Sequence, residues 1–200
     1  MGNWDIANSI TFKLNISMIY YSYMQSSGFP DIYVTVTAAE TYEGENTVLH
    51  LQTARYLLKV WNQISQGETK APPTVAYLVD AFKNKHQSIK WNGTVSGIIQ
   101  AFQAVAAGKI DRASKHLQQR VISGKSLGVA ANETSIELVS CSDAHCKLFL
   151  LSCGLEMLEK AARTVSLELG TVFKQLGELY AIDLCLKSLG DLLQVILNHL

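Results

Sequence analysis

The chain has 200 residues, with 17 lysines and arginines against 17 aspartates and glutamates, and 48% of its residues are apolar. That length can bury a core without disulfide or metal staples, and the zero formal charge excludes the basic field of a sequence-independent nucleic-acid binder. Charged residues reach only 17%, below the roughly 25% usual for soluble domains, so an unusual share of the surface is expected to be apolar or covered in an interface.

Residues 1 to 27 form a polar lead dotted with Tyr and Ser that follows neither the helical nor the strand period, and poor order or a short helix around Ile10 to Met24 is expected. Its apolar stretch Ile16 to Tyr23 falls short of the roughly 20 residues of a membrane span, so no span is expected. With a lone Lys13 and no small-residue cleavage site, a secretory signal is not expected either. After Gly28-Phe29-Pro30, the alternation of Ile32, Val34 and Val36 with Tyr33, Thr35 and Thr37 has the strand period. One isolated strand cannot make a sheet, which favours an extended loop packed on helices.

From Asn46 the period becomes helical. Val48, Leu51, Ala54, Leu58 and Trp61 make a stripe that Leu57 and Ile64 widen, with Asn46 or Thr47 as cap and Gly67 as stop. Pro72 and Pro73 open a short helix to about Phe82, and a Lys-rich connection runs from Lys83 to Gly93. A long helix is predicted from Thr94 to Ser123. Its Lys109, Arg112, His116 and Arg120 form a basic stripe, which could bind an acidic group but reads better as a solvated face. Thr134-x-x-Glu137 has the form of a capping box before another long helix. An amphipathic stretch follows Arg163, and a final apolar helix from about Ile182 to Leu200 is interrupted by Gly190. The prediction is all-α, a bundle of long antiparallel helices. Cys141, Cys146, Cys153 and Cys185 match no zinc or redox spacing and read as buried thiols, so no metal is expected.

One window asks for a chemical explanation. Glu40, Glu43 and Glu45, with Tyr42, Gly44 and Asn46, lie between a turn and a helix. Three carboxylates this close repel if all are held dry, so at least one is expected to be solvated or shifted in pKa. A helix start favours the anion whereas burial disfavours it, and the opposition could poise a general base. On the residues alone, ordinary capping is the stronger explanation.

The runs Ser27-Gly28-Phe29-Pro30-Asp31-Ile32-Tyr33, Thr41-Tyr42-Glu43-Gly44-Glu45-Asn46-Thr47-Val48 and Leu51-Gln52-Thr53-Ala54-Arg55-Tyr56-Leu57-Leu58-Lys59 resemble the peroxisomal acyl-CoA oxidases, and Asp143-Ala144-His145-Cys146 continues the likeness more loosely. The resemblance implies an FAD-dependent enzyme that desaturates fatty acyl-CoA to trans-2-enoyl-CoA and passes the electrons to oxygen as hydrogen peroxide. It implies Glu43 as the carboxylate that removes the α-proton, and Gly44, Glu45 and Thr47 as residues against the FAD, while Arg55 reads as a packing or ion-pair residue. It divides the chain into an unmatched, poorly ordered lead (1–25), the end of the flavin-binding helical core with the Tyr-Glu-Gly motif (26–90) and an incomplete C-terminal helical domain (91–200). The family's Gly-Gly-His-Gly-Tyr segment is replaced by Ile19-Tyr20-Tyr21-Ser22-Tyr23, and its amino-terminal helical and middle β-domains have no counterpart here, so a fragment is expected. The implied partners are the acyl-CoA substrate and oxygen, with a homodimer or pairing with an oxidase subunit. The implied location is the peroxisome, with Asn198-His199-Leu200 a loose relative of a carboxy-terminal address. The alternative is a catalytically inactive helical fragment acting as a dimerisation or interaction module.

Overall fold

A computed structural model describes residues 24–38, 44–84 and 92–197. The chain divides into two compact units, Met1–Leu49 and His50–Leu200. The expected lead helix around Ile10 to Met24, most of the Lys83 to Gly93 connection and Asn198 to Leu200 lie outside the described residues.

In the first unit a 3-10 turn, Gln25–Ser27, ends at Gly28, whose φ of 73° is a left-handed conformation open to glycine. Helix α1, Phe29–Ala38, follows. The extended segment expected over Ile32 to Val36 is therefore corrected to a helix, and the start signals explain the result. Ser27 Oγ accepts the Phe29 N–H at 3.3 Å, Pro30 stands in the first turn where its missing N–H costs nothing, and Asp31 complements the positive end of the dipole. Thr35 Oγ1 donates to the Asp31 carbonyl at 2.8 Å, an i to i−4 bond available only in helical backbone. A period of two wraps around a helix, so Ile32, Tyr33 and Val34 are all at least half exposed and none of α1 is buried.

Helix α2, Asn46–Ser65, carries Ala54, Leu57, Leu58, Val60, Trp61 and Ile64 into the core of the second unit. Gly67, at φ 103°, takes the C-terminal turn, its N–H bonded to Ile64 O. The Pro-Pro segment gives a 3-10 turn, Pro73–Val75, then α3, Tyr77–Lys83. Thr94 Oγ1 accepts the Gly97 N–H at 3.1 Å and starts α4, Val95–Ile122. Sequence reading missed α5, Leu127–Glu133, seven residues capped by Ser126 and too short for a period to show. Then come α6, Ser135–Ala162, α7, Leu167–Lys187, and α8, Leu189–Leu197. The predicted last break at Gly190 falls instead at Ser188, so Ile182 belongs to α7.

Helices α4 and α6 run antiparallel at the centre: Lys109 meets Ser140 while His116 meets Glu137. The two form two clusters along their length. One gathers α2, α3, the later half of α4 and the start of α6 around Leu57, Leu78, Ile110 and Leu138. The other gathers the first half of α4, the middle of α6, and α7 and α8 around Phe102, Leu148, Leu151 and Leu184. At roughly 1.5–3 kcal/mol for each large apolar side chain fully buried, these clusters are the main attraction holding the unit. Among the described residues, α6 is long and apolar enough to cross a membrane. It packs here between α4 and α7 and carries an Asp143–Lys147 ion pair at 2.8 Å.

Two capping expectations are corrected. Glu45, rather than Asn46 or Thr47, caps α2, and Thr134 makes no side-chain cap to α6. Thr134 is only 1% exposed; its hydroxyl donates to Ala130 O at 2.7 Å and accepts from Arg120 Nη1 at 3.1 Å. Glu137 faces His116 and Arg120 instead of reaching back. The basic stripe of α4 is corrected with it. Lys109 pairs with Asp191 at 2.7 Å, His116 with Glu137 at 2.6 Å, and Arg120 with Glu133 at 3.5 Å, which leaves Arg112 as the exposed member. The stripe is a partly exposed staple between helices.

Candidate functional site

The head of α2 is built by Gly44 and Glu45. Gly44 sits at φ 107°, a conformation that L side chains rarely adopt, and among the described residues a Cβ placed there would meet only Leu49, at 3.9 Å. The glycine thus serves the backbone turn. Glu45 carbonyl accepts the Leu49 N–H at 3.1 Å, and its Oε2 accepts the Val48 N–H at 2.9 Å. The carbonyl takes the first intrahelical bond, the side chain satisfies one otherwise orphaned first-turn donor, and its negative charge stands at the positive end of a 20-residue helix. Thr47 is exposed in the first turn. Glu43, with Glu40 and Tyr42, lies outside the described residues, so of the four expected site residues the structure brings together Gly44, Glu45 and Thr47.

Gly44 brings a backbone without a side chain and Thr47 an exposed hydroxyl to the helix start, two features that suit one edge of a planar ligand. They do not make a cradle, and the Glu45 carboxylate at the helix start opposes an anionic phosphate there. Arg55, read from sequence as a packing or ion-pair residue, is exposed, with no ion pair among the described residues.

A second polar cluster, which helical periodicity could not show, lies in the second unit. His50 Nδ1 is 2.9 Å from Ser142 Oγ, which is fully buried, and Tyr77 Oη is 3.0 Å from His145 Nδ1. Burial lowers the His145 pKa below its ordinary value and raises those of Tyr77 and Cys146. Burial also pushes the Cys141 thiol up to about 12, against a smaller opposing effect of Lys109. At neutral pH the tyrosine and both thiols stay protonated and the imidazole neutral, which suits a core bond and gives no activated nucleophile. Cys141, Cys146, Cys153 and Cys185 are all free. Among the described residues no group of three or more His, Cys, Asp or Glu is placed to hold a metal. The one sequence signal for this cluster is the Asp143-Ala144-His145-Cys146 run.

Comparison with known proteins gives matches to both segments. The family model "Acyl-CoA oxidase" matches residues 94–198, and "Acyl-CoA oxidase, C-alpha1 domain" matches residues 21–58. Acyl-coenzyme A oxidase 1 of Drosophila melanogaster is 43% identical over 176 residues, covering 88% of this chain and 26% of the relative. Peroxisomal acyl-coenzyme A oxidase 1 of Homo sapiens is 35% identical over 182 residues, covering 87% of this chain and 27% of the relative. Among solved structures, Arabidopsis thaliana acyl-CoA oxidase 1 superposes with a TM-score of 0.69 at 26% identity, over 88% of this chain and 27% of that one. Acyl-CoA oxidase-2 of Caenorhabditis elegans, solved bound with FAD, ascaroside-CoA and ATP, gives a TM-score of 0.70 at 26% identity, over 88% of this chain and 26% of that one. The chain therefore spans about a quarter of the length of the relatives it matches.

Proposed function

The chain belongs to the acyl-CoA oxidase family, and from that premise we propose that it carries the proton-abstracting segment of an FAD-dependent oxidase acting on fatty acyl-CoA. The observation that supports the reading is the head of α2. Gly44, directly after Glu43, takes a left-handed φ that favours glycine, Glu45 is spent on the helix start, and Thr47 is exposed in the first turn. On this reading Glu43 is the base. A proton beside a thioester is weakly acidic, and a carboxylate desolvated by the acyl chain takes it more readily than one in water. Glu43 accepts the α-proton on its carboxylate while the β-hydrogen leaves as hydride.

FAD, when bound, supplies the acceptor for that hydride and returns the electrons to oxygen as hydrogen peroxide. In this chain, the Gly44 backbone and the Thr47 hydroxyl would hold one edge of it. Glu45 acts on the site by fixing the helix start, since its Oε2 is bonded to the Val48 amide. The division into a lead (1–25), a flavin-core end (26–90) and a C-terminal helical domain (91–200) belongs to the same proposal, as do a peroxisomal location and pairing with a second subunit.

The second reading is a helical module that pairs without turnover. The exposed apolar face of α7 favours it, with Leu176 50% and Leu179 63% exposed. The two separate on the purified chain mixed with FAD and an acyl-CoA. Flavin absorbance that bleaches on adding the thioester, and fails to bleach in Glu43→Gln, supports the catalytic reading. A colourless chain that releases no peroxide leaves the module.

A further inference from the structure

Asn92, Gly93 and Thr94 lead into α4, and all three are exposed. Asn92 Oδ1 accepts two hydrogen bonds from one residue, the Thr94 N–H at 3.1 Å and the Thr94 hydroxyl at 2.7 Å. A backbone N–H can only donate, which fixes the carboxamide with its oxygen toward Thr94. Its nitrogen, Nδ2, has no hydrogen-bond partner among the described residues.

The head of α4 depends on these residue types. Gly93 has φ 68°, left-handed backbone that favours glycine. Gly97 is buried one turn into α4, where a Cβ would run into Asn92 Oδ1 and stand 3.0 Å from Cγ. Asn92 is also the only asparagine in the chain that a glycine follows. The turn that starts α4 thus sets a carboxamide beside a backbone nitrogen that no side chain screens.

We propose that Asn92 is a site of spontaneous covalent modification, deamidation through a cyclic imide with Gly93, promoted by the two Thr94 donors. The Gly93 nitrogen gives its electron pair to Asn92 Cγ, a C–N bond forms, and the carbonyl electrons move onto Oδ1. The two Thr94 donors, at 3.1 and 2.7 Å from that oxygen, stand at the distances from which placed donors stabilise an oxyanion. The hydroxyl is held in this role because its own oxygen accepts the Gly97 N–H at 3.1 Å. When the oxyanion collapses the Cγ–Nδ2 bond breaks, and Nδ2 leaves as ammonia with the proton that the Gly93 nitrogen gave up. Water then opens the imide at either carbonyl. The balance is one water consumed and one ammonia released, with nothing oxidised or reduced.

Other asparagines lack this setting. Asn62 lies within α2, where the next backbone nitrogen is held in the helix, and its Oδ1 accepts Ser114 Oγ at 3.3 Å. Asn132 lies within α5 and is followed by Glu133, whose Cβ screens the nitrogen. The two products act differently on α4. Aspartate keeps an acceptor on the Thr94 donors and adds a negative charge at the positive end of a 28-residue helix. Isoaspartate runs the backbone through Cβ and Cγ, so the path into Thr94 gains a carbon and the shared acceptor becomes main chain. None of this depends on the catalytic reading above.

The test is incubation of the full 200-residue chain in mildly alkaline buffer at body temperature, with samples taken over days for isoelectric focusing and peptide mass mapping. The expected result is a more acidic species that focuses with Asn92→Asp. Its mass change should fall on the peptide containing Asn92, as a mixture of aspartate and isoaspartate, with Asn62 and Asn132 still amides. Thr94→Val removes the hydroxyl and keeps the N–H. It should slow conversion by about tenfold, short of the roughly hundredfold or more that one donor contributes in a dry site, because Asn92 is exposed. Thr94→Ser, which restores the hydroxyl, should convert at the wild-type rate. An Asn92 peptide that keeps its amide throughout would overturn the proposal. A Thr94→Val chain that converts as fast as the wild type, or faster, would overturn it equally, since the dipeptide alone would then account for the reaction.

Discussion

Tyr77 and His145 lie nearly parallel and offset, with ring centroids 5.9 Å apart and planes 17° from parallel, while their hydrogen bond joins α3 to α6. His145 is 9% exposed, and burial disfavours its cation, so its folded pKa lies below the ordinary 6.5. Between those two values the unfolded chain binds more protons than the folded one, and stability rises with pH across that window. The groups facing His145 do not offset this, since Tyr77, Cys141 and Cys146 are all raised and stay neutral. The expected result is a melting temperature level above about pH 6.5 and falling as the pH drops below it. His145→Gln should flatten that slope. A slope equal in the wild type and His145→Gln would remove His145 as its source.

The head of α2 gives a prediction on Glu45 that separates a cap from a ligand contact. Because Oε2 takes the Val48 amide, Glu45→Ala should destabilise the chain by about 1 kcal/mol, the ordinary worth of an N-cap. Glu45→Asp or Glu45→Ser, which also offer a side-chain oxygen, should recover most of it. Urea unfolding of the three variants is the measurement. Equal losses in all three would mean that the capping bond contributes nothing.

Lys109 reaches two helices at once, Ser140 of α6 at 3.0 Å and Asp191 of α8 at 2.7 Å, with its side chain 20% exposed. Lys109→Met keeps the stem and deletes the charge, leaving Asp191 to solvent, which reaches 39% of it. Amide exchange should therefore quicken by about tenfold over residues 189–197, equivalent to about 1.4 kcal/mol of local opening, with the α2–α4 core unchanged. Uniform quickening across the chain would show a global loss instead of a local pin.

Much of this was legible in the sequence, for reasons that also explain the misses. Helices α2, α4 and α6 bury one face, so Leu57, Ile110 and Leu151 fall on the helical period. Helix α1 buries nothing, so its branched residues carry no helical period, and the strand-like alternation of Ile32, Val34 and Val36 misleads where Ser27, Pro30 and Asp31 point correctly to a helix start. Capping depends on which of several oxygens reaches an amide. The Thr134-x-x-Glu137 spacing marked the start of α6, yet Arg120 and His116 from a distant helix take the polar atoms that local chemistry would have used. At the site, Glu43 to Thr47 stood out by residue type and family likeness, while the bond that occupies Glu45 is a matter of geometry. The His50–Ser142 and Tyr77–His145 bonds span 92 and 68 residues, and no local pattern encodes them.

Glycines inside the long helices carry the last prediction, because two that look alike in sequence differ in what surrounds them. Gly154 in α6 has, among the described residues, nothing within 4 Å of an added Cβ, so Gly154→Ala should stabilise by up to about 1 kcal/mol through helix propensity. Gly170 in α7 would place its Cβ 2.7 Å from the Ala162 carbonyl, a backbone atom that cannot swing aside. Gly170→Ala must push α7 off α6 at the turn between them, at a cost of about 1–3 kcal/mol that outweighs the propensity gain. Gly177 is intermediate: its Cβ would meet Leu155 Cδ2 at 2.9 Å, the end of a flexible side chain, so Gly177→Ala should cost less than Gly170→Ala. Chemical denaturation of the three single variants should give the order Gly154→Ala, Gly177→Ala, Gly170→Ala from most to least stable. A Gly170→Ala chain as stable as the wild type would show that α6 and α7 do not approach this closely.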